Sequence, residues 1–201
     1  MVIVPGNQGY VEEAEQLALR YDSYDDSGVH DWFWPYLPSA PASWLDVGAG
    51  TGRDAFLFTS FGHRVVAVEP TDGFRFVAIS KGGAEAIEWI DDALPTLSRL
   101  GDRRFGVITL TAVFMHLDRP ERAVAFRRLG QLAETGGLMA MTLRHGEVPA
   151  GRRMFEVPDE EVIAFAKDCG FNLLWQSLAP SVQEGNRSLG ITWSRLAFRK
   201  T

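Results

Sequence analysis

Trp44-Leu45-Asp46-Val47-Gly48-Ala49-Gly50-Thr51-Gly52-Arg53-Asp54 is the stretch that decides how this chain folds. A short apolar run enters, three glycines follow at alternate positions, and a helix leaves through Asp54-Ala55-Phe56-Leu57-Phe58. Glycine at 48, 50 and 52 admits backbone angles closed to residues with a Cβ and leaves room for a ligand to touch the main chain. The helix that begins there turns its free N–H groups and the positive end of its dipole into the same space. The stretch therefore proposes a nucleotide-like ligand resting on a strand–loop–helix corner.

The spacing narrows the choice of ligand. A dinucleotide fingerprint, G-x-G-x-x-G, needs its third glycine at position 53, where Arg53 stands. The observed G-x-G-x-G, with Asp46 two residues before the first glycine, resembles the first motif of the class I S-adenosylmethionine (SAM) dependent methyltransferases. The resemblance implies that Gly48, Ala49, Gly50 and Gly52 wrap the cofactor while Asp46 organises the loop around its methionine end.

Composition sets the frame. With 201 residues, 46% of them hydrophobic, the chain is expected to form one domain with a substantial core. The net charge of −6 gives no general attraction for nucleic acid or an anionic membrane, so neither is an expected partner. A single cysteine, Cys169, excludes an internal disulfide and fits a cytoplasmic location. No apolar run approaches the roughly 20 residues of a membrane span. Met1 to Gly6 lacks the basic start and apolar length of a signal peptide.

Outward from the glycine loop, the chain alternates strands and helices. Val65 to Val68 is an unbroken apolar run of the kind found in a buried parallel strand, and it ends at Glu69-Pro70. A carboxylate at that strand end is placed to accept both hydroxyls of a ribose. A helix over 72–81 follows, then a short strand over 86–90 and Asp91-Asp92-Ala93-Leu94-Pro95. That turn resembles the family's third-strand end, which implies that Asp92, or alternatively Asp91, accepts from the adenine amino group while Ala93 offers its N–H. The other carboxylate of the pair caps the turn.

Phe105 to Leu110 reads as a fourth buried strand, and the resemblance places Thr111 and Ala112 against the cofactor. The Asn/Asp-Pro-Pro-Tyr/Phe tetrad of DNA amino methyltransferases is absent beyond it, which favours a small-molecule acceptor. His116 is placed to take a proton from a substrate hydroxyl or amine, and equally to be satisfied by backbone at a helix start. A long helix opens at Arg119-Pro120-Glu121, and Thr135-Gly136-Gly137 turns into a fifth strand over 138–143. Arg144 and His145 stand at its carboxyl end, where open parallel sheets bind ligands. His145 is a second acid/base candidate and Arg144 a residue to fix an anionic group; both serve equally to brace the following loop. The loop over 146–158 is long enough for a flap. A helix from Pro158 to Gly170 and two strands joined by a polar loop complete the chain.

Before the first strand, Val11, Ala14, Leu17 and Ala18 recur at helical spacing. The segment after them carries Tyr21, Tyr24, His30, Trp32 and Trp34. The resemblance makes residues 1–40 a helical lid over a 41–201 core, with Tyr21 against the cofactor and His30 and Trp32 against substrate. The same aromatics serve equally as anchors to the core.

The expectation is a three-layer α/β sandwich, Rossmann-like, with a seven-stranded, mainly parallel sheet and an antiparallel last strand. The function expected is methyl transfer from SAM to a small molecule, leaving S-adenosylhomocysteine, with no metal, by a monomer or homodimer. A protein or RNA acceptor, a silent SAM-binding domain and a nicotinamide-dependent oxidoreductase are the alternatives.

Overall fold

The structure, a computed structural model, describes residues 4–23 and 28–201; Met1 to Ile3 and the lid aromatic Tyr24 lie outside the described residues. Seven strands form one sheet: β1 (Ser43–Val47), β2 (Arg64–Val68), β3 (Glu88–Ile90), β4 (Phe105–Leu110), β5 (Ala133–His145), β6 (Phe171–Pro180) and β7 (Thr192–Lys200). The helices are α1 (Tyr10–Asp22), α2 (Arg53–Ser60), α3 (Asp72–Ile79), α4 (Arg119–Leu132), α5 (Asp159–Asp168) and the short α6 (Glu184–Ser188). Strand order is β3-β2-β1-β4-β5-β7-β6. Neighbours from β3 to β5 are parallel, and β7 runs antiparallel to both β5 and β6. Chain order reverses between β1 and β4, so the loops on either side diverge there and leave a crevice at the carboxyl edge.

The two-residue period of β1 builds the layers. Leu45 and Val47 join Ile108, Met139 and Phe198 beneath α4 and α5, which contribute Phe126, Leu129, Val162 and Ala166. Trp44 points the opposite way and shares a core with Val65, Ala67 and Val107 under α2. Its ring stacks on Phe58 of α2 at 3.9 Å between centroids, and its Nε1 donates to Thr109 Oγ1 at 3.0 Å. α1 and α3 make a smaller cluster of their own through Ala14, Leu17, Ala18 and Phe74.

Local signals set the boundaries of the elements. Asp118 caps α4 by accepting from Glu121 N, while the Glu121 side chain accepts from Asp118 N, a reciprocal cap worth about 1 kcal/mol. Gly170, at φ 75°, ends the α5 turn. Two details depart from the sequence expectation. Ala133 already pairs with Phe105, and residues 134–137 bulge out before the regular ladder starts at Leu138 with Val107, so Gly136-Gly137 shape a bulge inside a longer β5. The polar loop between β6 and β7 is not plain coil, because it winds into α6.

Candidate active site

A cavity of about 690 Å³ opens at the carboxyl edge of β1, β2 and β4. Its floor at one end is the glycine loop. Gly48 N and Ala49 N donate to Val68 O at 2.7 and 3.0 Å, which ties the loop to the end of β2. All three glycines have positive φ: 70°, 57° and 83°. A Cβ on Gly48 would sit 2.4 Å from Val113 Cγ2, and one on Gly52 would sit 2.6 Å from the Trp89 ring. At Gly50 nothing lies within 4 Å of a Cβ, so its bare backbone faces the open cavity. The first and third glycines are required by the protein's own packing, and the middle one keeps the space for a ligand.

Glu69, 5% exposed, hangs over this loop. Its Oε2 accepts from Gly50 N at 2.9 Å and its Oε1 from Thr71 N at 2.8 Å. Burial pushes the Glu69 carboxyl up, against the pull of these backbone donors. Each oxygen keeps a further lone pair, the arrangement that two vicinal hydroxyls need. Asp92, also buried, accepts from Ala93 N at 2.8 Å and Arg99 N at 2.6 Å, and Asp92 and Ala93 both line the cavity.

Beneath the loop lies a buried acidic pair. Asp46 Oδ1 accepts from Thr109 Oγ1 at 3.0 Å, whereas its Oδ2 is buried with no hydrogen-bond partner among the described residues. Asp54 Oδ2 accepts from Thr111 Oγ1 at 2.9 Å, and its Oδ1 lies 3.1 Å from His30 Nε2 and 3.2 Å from Arg53 Nε. Burial and the Asp54 charge push Asp46 far above the carboxylate range. Burial works the same way on Asp54, but His30, Arg53 and the Thr111 hydroxyl outweigh it and hold Asp54 below that range. The pair therefore keeps one proton, on Asp46.

The other end of the cavity is assembled from distant segments. Tyr10 Oη, on α1, lies 3.3 Å from His116 Nε2, and His116 Nδ1 lies 2.9 Å from Arg153 O. A carbonyl only accepts, so Nδ1 carries the hydrogen and Nε2 is left to accept from Tyr10. Burial lowers the His116 pKa, and the Arg152 and Arg153 charges add to the effect. Burial also raises the Tyr10 phenol above its ordinary value. Arg152 stands 4.5 Å over the Tyr10 ring and pairs with Glu13 Oε2 at 2.8 Å, which fastens the 146–158 flap to the lid helix. Phe155 N donates to Met115 O at 2.8 Å and Arg153 pairs with Glu121 at 2.9 Å, closing the flap's far side. At the lid's other end, Thr51 Oγ1 donates to Asp22 Oδ1 at 2.6 Å and Lys81 pairs with Asp22 Oδ2 at 2.7 Å.

Most of the residues singled out in the sequence line this one cavity: Asp46 with the loop from Gly48 to Gly50, Glu69-Pro70, Asp92-Ala93, Thr111-Ala112, and also Tyr21, His30, His116 and Arg144. Gly52 supports the loop from behind, against Trp89. Three stand elsewhere. Asp91 is turned to Arg75, 3.3 Å away, so Asp92 is the carboxylate at the cavity wall. Trp32 packs edge-on against Phe33 in the α2-side core instead of facing a substrate. His145 is off the wall, its Nδ1 2.6 Å from Glu156 and its Nε2 2.7 Å from Ser194, where it braces the flap. Tyr10, Arg152, Trp193, Arg195 and the α6 loop also line the cavity and were not legible in the sequence. Only the diagonal of Arg195 to Arg144 across two strands follows a pattern, and it needs the β5–β7 register.

Comparison with known proteins bears on the family. Residues 45–141 match the model of the methyltransferase domain family. That match runs from β1 through the glycine loop into β5, and the activity it supports is SAM-dependent methyl transfer. The fold agrees. A Burkholderia thailandensis 1,6-didemethyltoxoflavin-N1-methyltransferase, solved with 1,6-didemethyltoxoflavin and S-adenosylhomocysteine, superposes with a TM-score of 0.65 at 22% identity, covering 100% of this chain and 92% of its own. A TehB-like SAM-dependent methyltransferase from Corynebacterium glutamicum gives 0.70 at 17% identity, covering 94% and 99%. The SAM-bound magnesium protoporphyrin IX methyltransferase of Synechocystis PCC 6803 gives 0.67 at 13% identity, covering 96% and 85%. No curated protein sequence matches the chain. Among the described residues, no helix is long and apolar enough to cross a membrane.

Proposed function

We propose that the enzyme transfers a methyl group from SAM to a small-molecule acceptor inside the cavity under the lid and flap. The observation that carries this reading is the cavity itself. It joins the glycine-loop end and the Tyr10–His116 end in one space of about 690 Å³, within the range of small-molecule sites. Its roof is cross-linked by Glu13–Arg152 and Arg153–Glu121. A macromolecular acceptor needs an open approach to the reacting methyl, which this roof obstructs.

The residues suit the cofactor. Gly50 presents bare backbone, Glu69 offers two lone pairs for a ribose, Asp92-Ala93 offers an acceptor and a donor for an adenine edge, and Asp46 Oδ2 is a buried oxygen without a partner. SAM, when bound, supplies a methyl on a sulfonium sulfur that is already activated toward displacement. What the protein must add is alignment and the exclusion of water. The lid and flap cover part of the cavity, and Thr111, Ala112 and Val113 contribute to its wall. His116, held neutral with its Nε2 toward Tyr10, is placed to take a proton from an acceptor that becomes acidic as the methyl arrives. His145 and Trp32 have no part in this reading.

Incubation with methyl-labelled SAM and cell extract, split by size into metabolite and macromolecule fractions, tests the acceptor class. Label in the metabolite fraction is expected. Label confined to protein or RNA would overturn the small-molecule reading.

A further inference from the structure

Five arginines of the cavity wall beyond the exposed Arg20 differ in what they touch. Arg53, Arg152 and Arg153 each pair with a carboxylate within 3.2 Å. Arg144 and Arg195 have no carboxylate within ion-pair distance among the described residues. Arg144 is 8% exposed and its guanidinium makes one hydrogen bond among the described residues, donated to Gly146 O at 3.2 Å, which leaves most of its donors unused. Burial pulls its pKa down; Tyr10 and then Glu156 oppose this without an ion pair, and Glu156 is already held by His145 at 2.6 Å. Arg195 is half-buried, and its side chain has neither a hydrogen bond nor an ion pair among the described residues.

The sheet register puts the two together. Arg144 lies opposite Trp193 and Thr142 lies opposite Arg195 on the antiparallel β5–β7 pair. Opposite residues and residues two apart share one face. Thr142, Arg144, Trp193 and Arg195 thus form a square on the same face, and all four line the cavity. A buried guanidinium with unused donors is costly unless something completes it. The four buried acids of the site, Asp46, Asp54, Glu69 and Asp92, stand on the other side of β4, at the glycine-loop end. The cavity is acidic where the cofactor's sulfonium and ribose belong and basic beyond it.

We propose that Arg144 and Arg195 form the acceptor's anion subsite, so that the methyl acceptor is a small carboxylate whose apolar body lies against Trp193. This rests on the methyltransferase reading above and narrows its substrate class. Two guanidinium forks match a carboxylate geometrically, and the Trp193 ring offers the flat surface beside it. The acceptor's reacting atom then lies back toward Tyr10 and His116, with its charged group held at the sheet.

The test is calorimetric, on protein saturated with S-adenosylhomocysteine, with benzoate, its neutral isostere benzamide, and phenyl phosphate as probes. Benzoate is expected to bind about tenfold more tightly than benzamide, because a charge-assisted pair separates them. Arg195→Gln, which breaks no contact of the fold, is expected to remove that preference while S-adenosylhomocysteine affinity stays as in wild type. Arg195→Lys is expected to restore part of it. Equal binding of benzoate and benzamide, or binding of neither, would overturn the subsite and leave the methyltransferase reading intact. Preference for phenyl phosphate would replace the carboxylate by a phosphate ester. Loss of S-adenosylhomocysteine affinity in Arg195→Gln would assign the arginines to the cofactor's own carboxylate and overturn the proposal. Failure of wild type to bind S-adenosylhomocysteine would instead remove the reading on which the proposal stands.

Discussion

The two ends of the cavity are made in different ways. At the glycine-loop end the residues that would meet a cofactor sit at strand ends and are fixed by backbone, either next to them in the chain or on the neighbouring strand: Glu69 by Thr71 N, Asp92 by Ala93 N, Gly48 by the end of β2. At the lid-and-flap end the decisive contacts join residues far apart in the chain. Tyr10 meets His116 across 106 positions, and Glu13 meets Arg152 across 139. A site made of local turns is carried by spacing, whereas one made of long-range side-chain contacts depends on how whole elements come to rest. The first kind suits a cofactor that never changes; the second can be rebuilt around another acceptor while the sheet stays as it is.

That contrast predicts which substitutions separate the ends. Glu69→Gln should have the largest effect, weakening S-adenosylhomocysteine about a hundredfold through the loss of charge on two ribose hydrogen bonds. Its melting temperature should also fall, since the amide keeps one acceptor and turns its NH2 against the other buried backbone N–H. Gly50→Ala comes next. It forces a Cβ into a left-handed backbone at a cost of about 1 kcal/mol and projects it into the cavity. We expect roughly tenfold weaker cofactor binding. Gly48→Ala should instead fail mainly as a folding defect, since its Cβ would strike Val113. Comparing melting temperature with affinity for these two glycines would break the contrast if both moved together.

Smaller effects belong to the other end. Tyr10→Phe should lower kcat several-fold on the true substrate and leave cofactor affinity unchanged. In wild type, protonation of His116 removes the acceptor that Nε2 presents. Because its pKa is held below the usual 6.5, activity should be flat through neutral pH and fall only in more acid solution; an acid limb centred above 6.5 would contradict the geometry. The smallest effect concerns Asp46. Its carboxyl is raised and protonated in the free protein, so approach of a cationic methionine end should displace that proton. Calorimetry in buffers of differing ionisation enthalpy should show proton release on binding at neutral pH, with affinity rising slightly as pH rises. Asp46→Asn should abolish the release.

How much was legible follows the same division. The three-layer fold, the strand sequence and the helix ends at Arg119 and Gly170 were all carried by short patterns, as was the set of strand-end residues lining the glycine-loop end. The choice between Asp91 and Asp92 was not, because Arg75 decides it from one helix away. The sequence put Trp32 and His145 at the site on residue type and position alone. Packing against Phe33 took the first into the core, and Glu156 with Ser194 took the second into the loop's own bracing. Tyr10 escaped notice because it reads as one more aromatic at a helix start. Arg195 did so because its face of β7 is set by antiparallel register with β5, which no local pattern encodes.

The central claim is that the glycine-loop end is a SAM site. Titration of the wild-type chain with S-adenosylhomocysteine, with NADH as the control, addresses it directly. The account predicts micromolar binding of the first and none of the second. Binding of NADH, or of neither, would contradict it.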